Sequence, residues 1–143
     1  MPDIVHTFPV RGSAARVFDM FATPEGLDAW WTARSHGSPV IGTEYQLFFG
    51  PEYDWRARVT ACTPGQLFEL ELTAAMHDWL GTRVRVELSE GDGVTAVRFA
   101  HTGWPADTEH FRVSSFCWAM YLRHLRRHVE AGITVDYDQR LDD

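Results

Sequence analysis

The chain has 143 residues, of which 45% are hydrophobic and 23% charged, and its formal net charge is −7. This length and composition are typical of one globular domain that buries a core of its own. The acidic balance argues against nucleic acid or an anionic membrane as the main partner, because both require a basic surface.

The N-terminus, the lengths of the apolar runs and the cysteines predict a cytoplasmic protein. The first ten residues lack the basic start and the apolar stretch of a signal peptide, and no apolar run reaches the roughly 18 residues of a membrane span. Cys62 and Cys117 lie far apart and follow no metal or redox spacing. We therefore expect two buried thiols in a reducing compartment.

A strand and two short helices are predicted at the start of the chain. Residues 4–10 are predicted to form the first strand. Ser13 is placed to cap the first helix. Thr23 would cap the second helix, with Pro24 at its first position. The apolar residues of these helices are Val17, Phe18, Phe21, Leu27, Trp30 and Trp31.

Residues 40–101 carry the alternating pattern of several antiparallel strands. Turn residues at 50–51, 64–65 and 91–93 divide them. The residues expected on the inward face of the first hairpin are Tyr45, Leu47 and Phe49, with Trp55, Ala57 and Val59 opposite them.

Charged residues set the register of these strands. Pairing Val59 with Leu70 and Ala61 with Phe68 joins the apolar faces and brings opposite charges together on the other face. We interpret that charged face as an ion-paired surface in water; a binding patch is the alternative. The predicted pairs are Arg58–Glu71, Glu69–Arg85, Glu71–Arg83 and Glu87–Arg98.

A long helix is predicted from Pro105 to Ala131, with Gly132 as its stop. Its apolar stripe must cover the inward face of the sheet, and Trp118 would lie over the strand that carries Ala57 and Ala61. Those small side chains leave room, which tryptophans fill or which remains a cavity. The stripe consists of Phe111, Ser115, Trp118, Leu122, Leu125 and Val129.

The same helix has a second apolar side, formed by Val113, Phe116 and Met120. Apolar residues grouped on an outer helical face indicate a contact, and a symmetric homodimer is the hypothesis. The alternatives are scattered surface hydrophobic residues, which are normal, or cover by the first two helices.

Several motifs together resemble a known family. Their order and spacing span nearly the whole chain, although each motif alone is short. They are residues 15–18, 23–27 and 30–31, then 79–82 before the strand 84–88, then 101–104, and finally Trp118, Leu122 and Leu125.

With these motifs the chain resembles the helix-grip superfamily, also called START-like or SRPBCC. Within it, the chain is similar to the branch named for the C-terminal domain of the activator of the ninety-kilodalton heat-shock-protein ATPase. The resemblance implies one α+β domain over residues 1–143, in which a curved antiparallel sheet wraps around a long C-terminal helix with an apolar cavity between them. It does not imply one activity, because family members bind lipids, transport, cyclise polyketides or assist chaperones.

Histidines supply the candidate polar sites. His124 and His128 share a helix side at the spacing of two metal ligands, but no third ligand is evident, and a solvated pair is the simpler interpretation. His77 and Asp78 are adjacent in a loop, where neighbours seldom converge as a general base and its orienting group. His101 is predicted to face inward at a strand end, either to orient a ligand or move a proton, or to be satisfied by backbone carbonyls.

The sequence favours a small-molecule binding protein whose ligand is an apolar molecule in the helix–sheet cavity. We expect no cofactor or metal, and no common catalytic motif is present. One alternative is a cyclase or dehydratase that uses His101 or an acidic residue near the rim of the cavity. The other is an interaction module that acts on a chaperone. The predicted site residues are Trp31, Tyr45, Leu47, Phe49, Trp55, Ala57, Phe68, Leu70, Trp79, His101, Ser115 and Trp118, with Tyr45, Ser115 and His101 orienting a polar end.

Overall fold

Seven antiparallel strands form one sheet in the order β1-β7-β6-β5-β4-β3-β2. A computed structural model describes residues 2–142 of the chain. The predicted α+β helix-grip fold is confirmed. The elements are β1 (Ile4–Arg11), α1 (Ala14–Ala22), α2 (Pro24–Trp30), β2 (Arg34–His36), β3 (Glu44–Phe48), β4 (Asp54–Thr63), β5 (Leu67–Ala74), β6 (Arg83–Gly91), β7 (Val94–Thr102), α3 (Glu109–Ala131) and a 3-10 turn (Tyr137–Gln139).

Local capping residues begin each helix. The Ser13 hydroxyl accepts from the amide of Arg16 at 3.2 Å, and the Thr23 hydroxyl accepts from that of Gly26 at 3.0 Å. Gly26 is required where α1 and α2 meet, because a Cβ there would collide with the backbone of Asp19. The two short helices therefore pack closely above one half of the sheet.

The long helix begins later than the sequence indicated. Thr108 is its N-cap, accepting from the amide of Phe111 at 3.2 Å, so α3 starts at Glu109 rather than at Pro105. A side-chain cap decided the boundary, and the residues before it form a loop after β7. The predicted end is confirmed, since Gly132 takes a left-handed conformation with φ of 69°.

The predicted strand register is confirmed for the charged pairs. Arg58 lies opposite Glu71, and their side chains form an ion pair with an N–O distance of 2.9 Å. Glu69–Arg85, Glu71–Arg83 and Glu87–Arg98 are also partners across neighbouring strands. Glu69, although on the outer face, is only 7% exposed, because it lies between Arg83 and Arg85.

One predicted pairing is wrong. Ala61 lies opposite Glu69, and Cys62 takes the place opposite Phe68, because the register shifts between Val59 and Ala61. Such a bulge adds one residue to a strand and increases its bend and twist. The sheet thereby curves around the helix, which strict alternation along β4 does not predict.

The helix α3 crosses the concave face of the sheet. Trp118, Leu122, Leu125 and Val129 are at most 4% exposed, as the stripe predicted, whereas Phe111 and Ser115 are only partly buried. Cys62 and Cys117 are both free thiols and are partly rather than fully buried. Within residues 2–142, no helix is long and apolar enough to cross a membrane.

Candidate functional site

A cavity of about 390 Å³ opens at one end of the space between helix and sheet. Its walls come from the end of α2, the β3–β4 turn, the β5–β6 loop, the first half of α3 and the segment after α3. The lining residues are Trp31, Phe49, Tyr53, Trp55, Met76, Trp79, His110, Val113, Ser114, Cys117, Trp118, Tyr121, Tyr137 and Leu141.

Five aromatic side chains of this lining form a closed circuit. Each ring touches the next, with centroid distances of 5.3, 4.9, 4.9, 5.7 and 5.0 Å around the circuit. Trp79 and Trp118 are stacked, and the other contacts are tilted or edge-on, which are favourable arrangements for aromatic pairs. The order of the circuit is Trp31, Phe49, Trp55, Trp79 and Trp118.

These five rings all belong to the predicted site, but seven other predicted residues lie outside the cavity lining. Ser114, 6% exposed, takes the lining position expected for Ser115, whose carbonyl instead accepts from the His6 imidazole at 3.2 Å. The residues absent from the lining are Tyr45, Leu47, Ala57, Phe68, Leu70, His101 and Ser115.

The centre of the helix–sheet space is packed. Beside Phe68 and Leu70 only about 10 Å³ remains open. Phe18 of α1 packs edge-on against Phe68 at 5.9 Å, and the Tyr45 hydroxyl donates to the carbonyl of Ala22 at 2.5 Å. The first two helices therefore fill the room that small side chains such as Ala57 were expected to leave.

Trp118 lies among other aromatic side chains. Its ring contacts Phe99 of β7 at 4.5 Å, Trp79 of the β5–β6 loop at 5.7 Å and Trp30 of α2 at 6.3 Å. Its expected place over the strand with Ala57 and Ala61 stays a prediction.

His101 is a buried structural group behind the cavity wall. Its Nδ1 accepts the indole hydrogen of Trp118 at 3.0 Å, so the ring hydrogen must be on Nε2, which lies 2.7 Å from the Thr82 hydroxyl. Thr82 in turn donates to the carbonyl of Trp79 at 2.6 Å. Burial, with a smaller contribution from the charge of His110, lowers the pKa of His101 to about 3, which keeps it neutral.

A different histidine faces the cavity. Nδ1 of His110, in the first turn of α3, lies 3.1 Å from the carboxylate of Asp78, which is not itself in the lining. The carboxylate therefore holds the imidazole from behind, as an orienting group does. Asp78, considered from the sequence as an orienting group for its neighbour His77, thus contacts His110 of α3.

The inner polar groups of the cavity are uncharged at neutral pH. Burial raises the pKa of Tyr121 to about 12 and also raises that of the Cys117 thiol. Burial likewise raises the pKa of Tyr137, whose hydroxyl donates to the carbonyl of Phe49 at 3.3 Å. The indole nitrogen of Trp79 is buried without a hydrogen-bond partner among residues 2–142.

The interpretation of His124 and His128 as a solvated pair is wrong for His124, which is only 2% exposed, and the two side chains have different partners. Nε2 of His124 lies 2.5 Å from the carbonyl of Arg140, whereas Nδ1 of His128 lies 2.9 Å from the Thr134 hydroxyl. In the part of the chain that the structure describes, no group of three His, Cys, Asp or Glu residues is arranged to hold a metal ion.

The spacing of residues along α3 could have predicted part of the cavity lining from the sequence. His110, Ser114, Cys117 and Tyr121 recur at helical spacing beside the Trp118 stripe, and all four line the cavity. No periodic pattern indicated Tyr53, Met76, Tyr137 or Leu141, which come from turns and from the segment after α3.

Comparisons with known proteins agree with the fold. The family described as "Activator of Hsp90 ATPase homolog 1-like protein" matches residues 11–130. No curated protein matches the sequence. The Aha1 dimer from Colwellia psychrerythraea, solved in solution, has 26% identity and a TM-score of 0.83, over 92% of this chain and 98% of that one.

Two more solved structures share the fold at lower identity. Protein BH1534 of Bacillus halodurans has 20% identity and a TM-score of 0.76, over 91% of this chain and 98% of that one. CalU16 from Micromonospora echinospora has 15% identity and a TM-score of 0.74, over 98% of this chain and 81% of that one.

Proposed function

Because the chain belongs to the family of Activator of Hsp90 ATPase homolog 1-like proteins, as the motifs of its sequence indicated, we propose that it binds a small, mostly apolar molecule in its aromatic cavity. The observation that carries the proposal is an open space of about 390 Å³ whose lining includes five aromatic rings in contact with one another. A concave apolar site of this size with a few polar groups is the usual form of a small-ligand pocket.

The charges of the lining narrow the class of ligand. No Arg is among the described lining residues, and the imidazole of His110 is held by Asp78. An anionic head group therefore has no free cation to meet, whereas flat aromatic walls favour a neutral ring system. The hydroxyls of Ser114 and Tyr121 suit one neutral polar end. Apolar burial would supply most of the affinity, at about 25 cal/mol per Å² before the costs of association.

Two neighbouring serines give a matched test with Nile red, a neutral apolar fluorophore. Ser114→Leu should place a bulky side chain in the cavity and weaken Nile red binding at least about tenfold, a loss of about 1.4 kcal/mol. Ser115→Leu adds the same side chain on the same helix but outside the cavity lining, so Nile red should bind as it does to the wild type. A wild type that leaves Nile red unbound, or two variants with equal affinity, would refute the proposed pocket.

One observation favours proton transfer as a second function. A His whose Nδ1 is held by a carboxylate can accept a proton at Nε2, and His110 has this arrangement at the cavity. On an apolar aromatic ketone, Nε2 would take a hydrogen from the carbon beside the carbonyl, leaving the electron pair on the carbonyl oxygen as an enolate. Hydrogen–deuterium exchange of 2-tetralone, followed by NMR, should be faster with the wild type than with His110→Gln. Equal exchange rates would leave binding as the sole function.

A protein partner is the remaining proposal. The neighbour from Colwellia psychrerythraea is described as a dimer, and here Val113 and Phe116 are 51% and 67% exposed. These residues and Met120 would form a symmetric homodimer face. Val113 also lines the cavity, so a second copy would partly cover its mouth. The chaperone alternative predicts that the chain accelerates ATP hydrolysis by the ninety-kilodalton heat-shock protein.

A further inference from the structure

The segment after α3 forms one wall of the cavity. Residues 132–142 lie beyond the 11–130 range that matches the family, yet Tyr137 and Leu141 belong to the cavity lining. This wall is thus made by a part of the chain that the family match does not include. Its side chains can contribute to the choice of ligand in addition to those of the matched region.

Arg140 anchors this segment in the body of the protein. It is 4% exposed, and its guanidinium donates to three carbonyls: Asp28 at 2.6 Å, Val135 at 3.0 Å and Thr32 at 3.3 Å. Two of these carbonyls lie at the C-terminal end of α2, where a helix favours a positive charge. The planar fork of an Arg side chain can serve several acceptors at once, which an ammonium group on a flexible stem does less well.

The anchor also positions the two neighbouring walls of the cavity. The Arg140 guanidinium lies 5.5 Å from the centre of the Tyr137 ring, a cation–π distance. Its two carbonyl partners on the body, Asp28 and Thr32, flank Trp31, the C-cap of α2 and a member of the aromatic circuit. One side chain therefore relates the orientation of Tyr137 to the turn that carries Trp31.

The apolar side chains of the segment are largely exposed, and its other hydrogen bonds to α3 include one between His128 and Thr134 at 2.9 Å. Ile133 and Leu141 are 42% and 45% exposed, and the Tyr137 hydroxyl bond to Phe49 is long at 3.3 Å. The carbonyl of Arg140 itself accepts from His124 at 2.5 Å. Segments with few buried apolar contacts open at low free-energy cost. The position of this wall consequently depends on Arg140 more than on apolar packing.

We propose that residues 132–142 are the ligand-selecting wall of the cavity, with Tyr137 and Leu141 as specificity-determining residues and Arg140 as the residue that positions them. This inference rests on the proposed binding function. With Arg140 in place, the wall closes one side of the cavity and limits the size of an apolar ring system that fits. Without it, the segment moves away and the cavity accepts larger molecules with weaker discrimination.

Ile133 and Leu141 supply a matched pair for the test, because both are large, similarly exposed and in the same segment, but only Leu141 lines the cavity. Leu141→Ala should weaken Nile red binding about three- to tenfold, because apolar contact with the probe is lost. Ile133→Ala should bind Nile red like the wild type. Equal affinities for the two variants would overturn the role of Leu141.

Arg140→Ala and Arg140→Lys test the anchor. We expect Nile red to dissociate about tenfold faster from Arg140→Ala, with Arg140→Lys between it and the wild type. The affinity ratio between naphthalene and the larger pyrene should also shift toward pyrene in Arg140→Ala. Circular dichroism checks that each variant remains folded. An unchanged dissociation rate and an unchanged ratio would overturn the proposal.

A readout without ligand separates this inference from the binding proposal. Iodoacetamide modifies cysteine thiols, and Cys117 lines the cavity whereas Cys62 does not. In Arg140→Ala, modification of Cys117 should accelerate several-fold, and that of Cys62 should not change. If Nile red does not bind the wild type, the binding proposal fails while this result still decides whether Arg140 holds the wall closed. Equal Cys117 rates in wild type and variant would refute the anchor.

Discussion

The indole of Trp118 donates a 3.0 Å hydrogen bond to Nδ1 of His101, and this contact connects the long helix with the last strand. Because an indole can only donate, the bond requires neutral His101 with its hydrogen on Nε2. The two rings meet edge to face, and His101 also packs against Trp79 at 4.5 Å. A buried hydrogen-bond chain from Trp118 through His101 and Thr82 to the Trp79 carbonyl thus holds two of the five rings of the aromatic circuit in place.

The first prediction concerns the pH dependence of stability through His101. Its pKa is about 3 in the folded state, below the usual value near 6.5, so between these values the unfolded chain binds the extra proton. The free energy of unfolding should therefore fall as the pH drops from 6.5, by up to about 1.4 kcal/mol per pH unit from this residue. Urea denaturation of the wild type and of His101→Gln, which cannot titrate, measures the difference. If the free energy of unfolding changes with pH in the same way in both proteins, the lowered pKa of His101 is contradicted.

A second prediction separates two glutamates on the outer sheet face. Glu69 is 7% exposed, with two Arg partners and a 2.8 Å hydrogen bond from Thr60, whereas Glu71 is more exposed and pairs with Arg58. Glu69→Gln should cost about 1–3 kcal/mol, because a neutral amide replaces the buried carboxylate that two Arg side chains and Thr60 share. Glu71→Gln should cost about 0.2–1 kcal/mol, and less in high salt. Thermal and urea denaturation provide the values, and equal losses would show that burial of Glu69 is unimportant.

The two cysteines allow a third prediction about where a ligand binds. Both thiols are partly buried, but Cys117 lies in the cavity and Cys62 lies outside it, with its Sγ 3.2 Å from the carbonyl of Pro39. Saturating Nile red should slow the alkylation of Cys117 several-fold and leave that of Cys62 unchanged. Mass spectrometry of the two cysteine peptides measures both rates in one sample. Protection of both thiols, or of neither, would argue against binding in this cavity.

A fourth prediction addresses the homodimer face on α3. Phe116 is 67% exposed, and a charge placed there should disfavour contact with a second copy. Phe116→Glu should sediment as a monomer at concentrations where the wild type is a dimer. Val5→Glu, at a residue 44% exposed on β1, is the control and should sediment like the wild type. A wild type that sediments only as a monomer at micromolar concentration would remove the dimer hypothesis.

Side-chain patterns within short stretches of the sequence were sufficient to predict the three helices and most of the strand register. A hydroxyl such as that of Ser13 or Thr23 satisfies amides within its own turn, so the cap is visible without knowledge of the fold. The Arg58–Glu71 register could be read because side chains alternate with a period of two. Trp31, Trp79 and Trp118 belong to the motifs by which the chain resembles its family, and the alternation of the first hairpin placed Phe49 and Trp55 on the inward face.

Tertiary packing alone decided where the open space lies. Tyr45 and Phe68 face the helix as alternation indicates, but side chains of α1 fill the volume beside them, and no local pattern specifies that contact. The β4 bulge moved Ala61 from its predicted place opposite Phe68, and the period-two alternation along the strand does not indicate where a bulge occurs. Arg140 carries no periodic signal, because its carbonyl partner on Asp28 is 112 residues away along the chain. Such long-range contacts are selected by the shape and unsatisfied polar groups of the folded body, which exist only after the chain has folded.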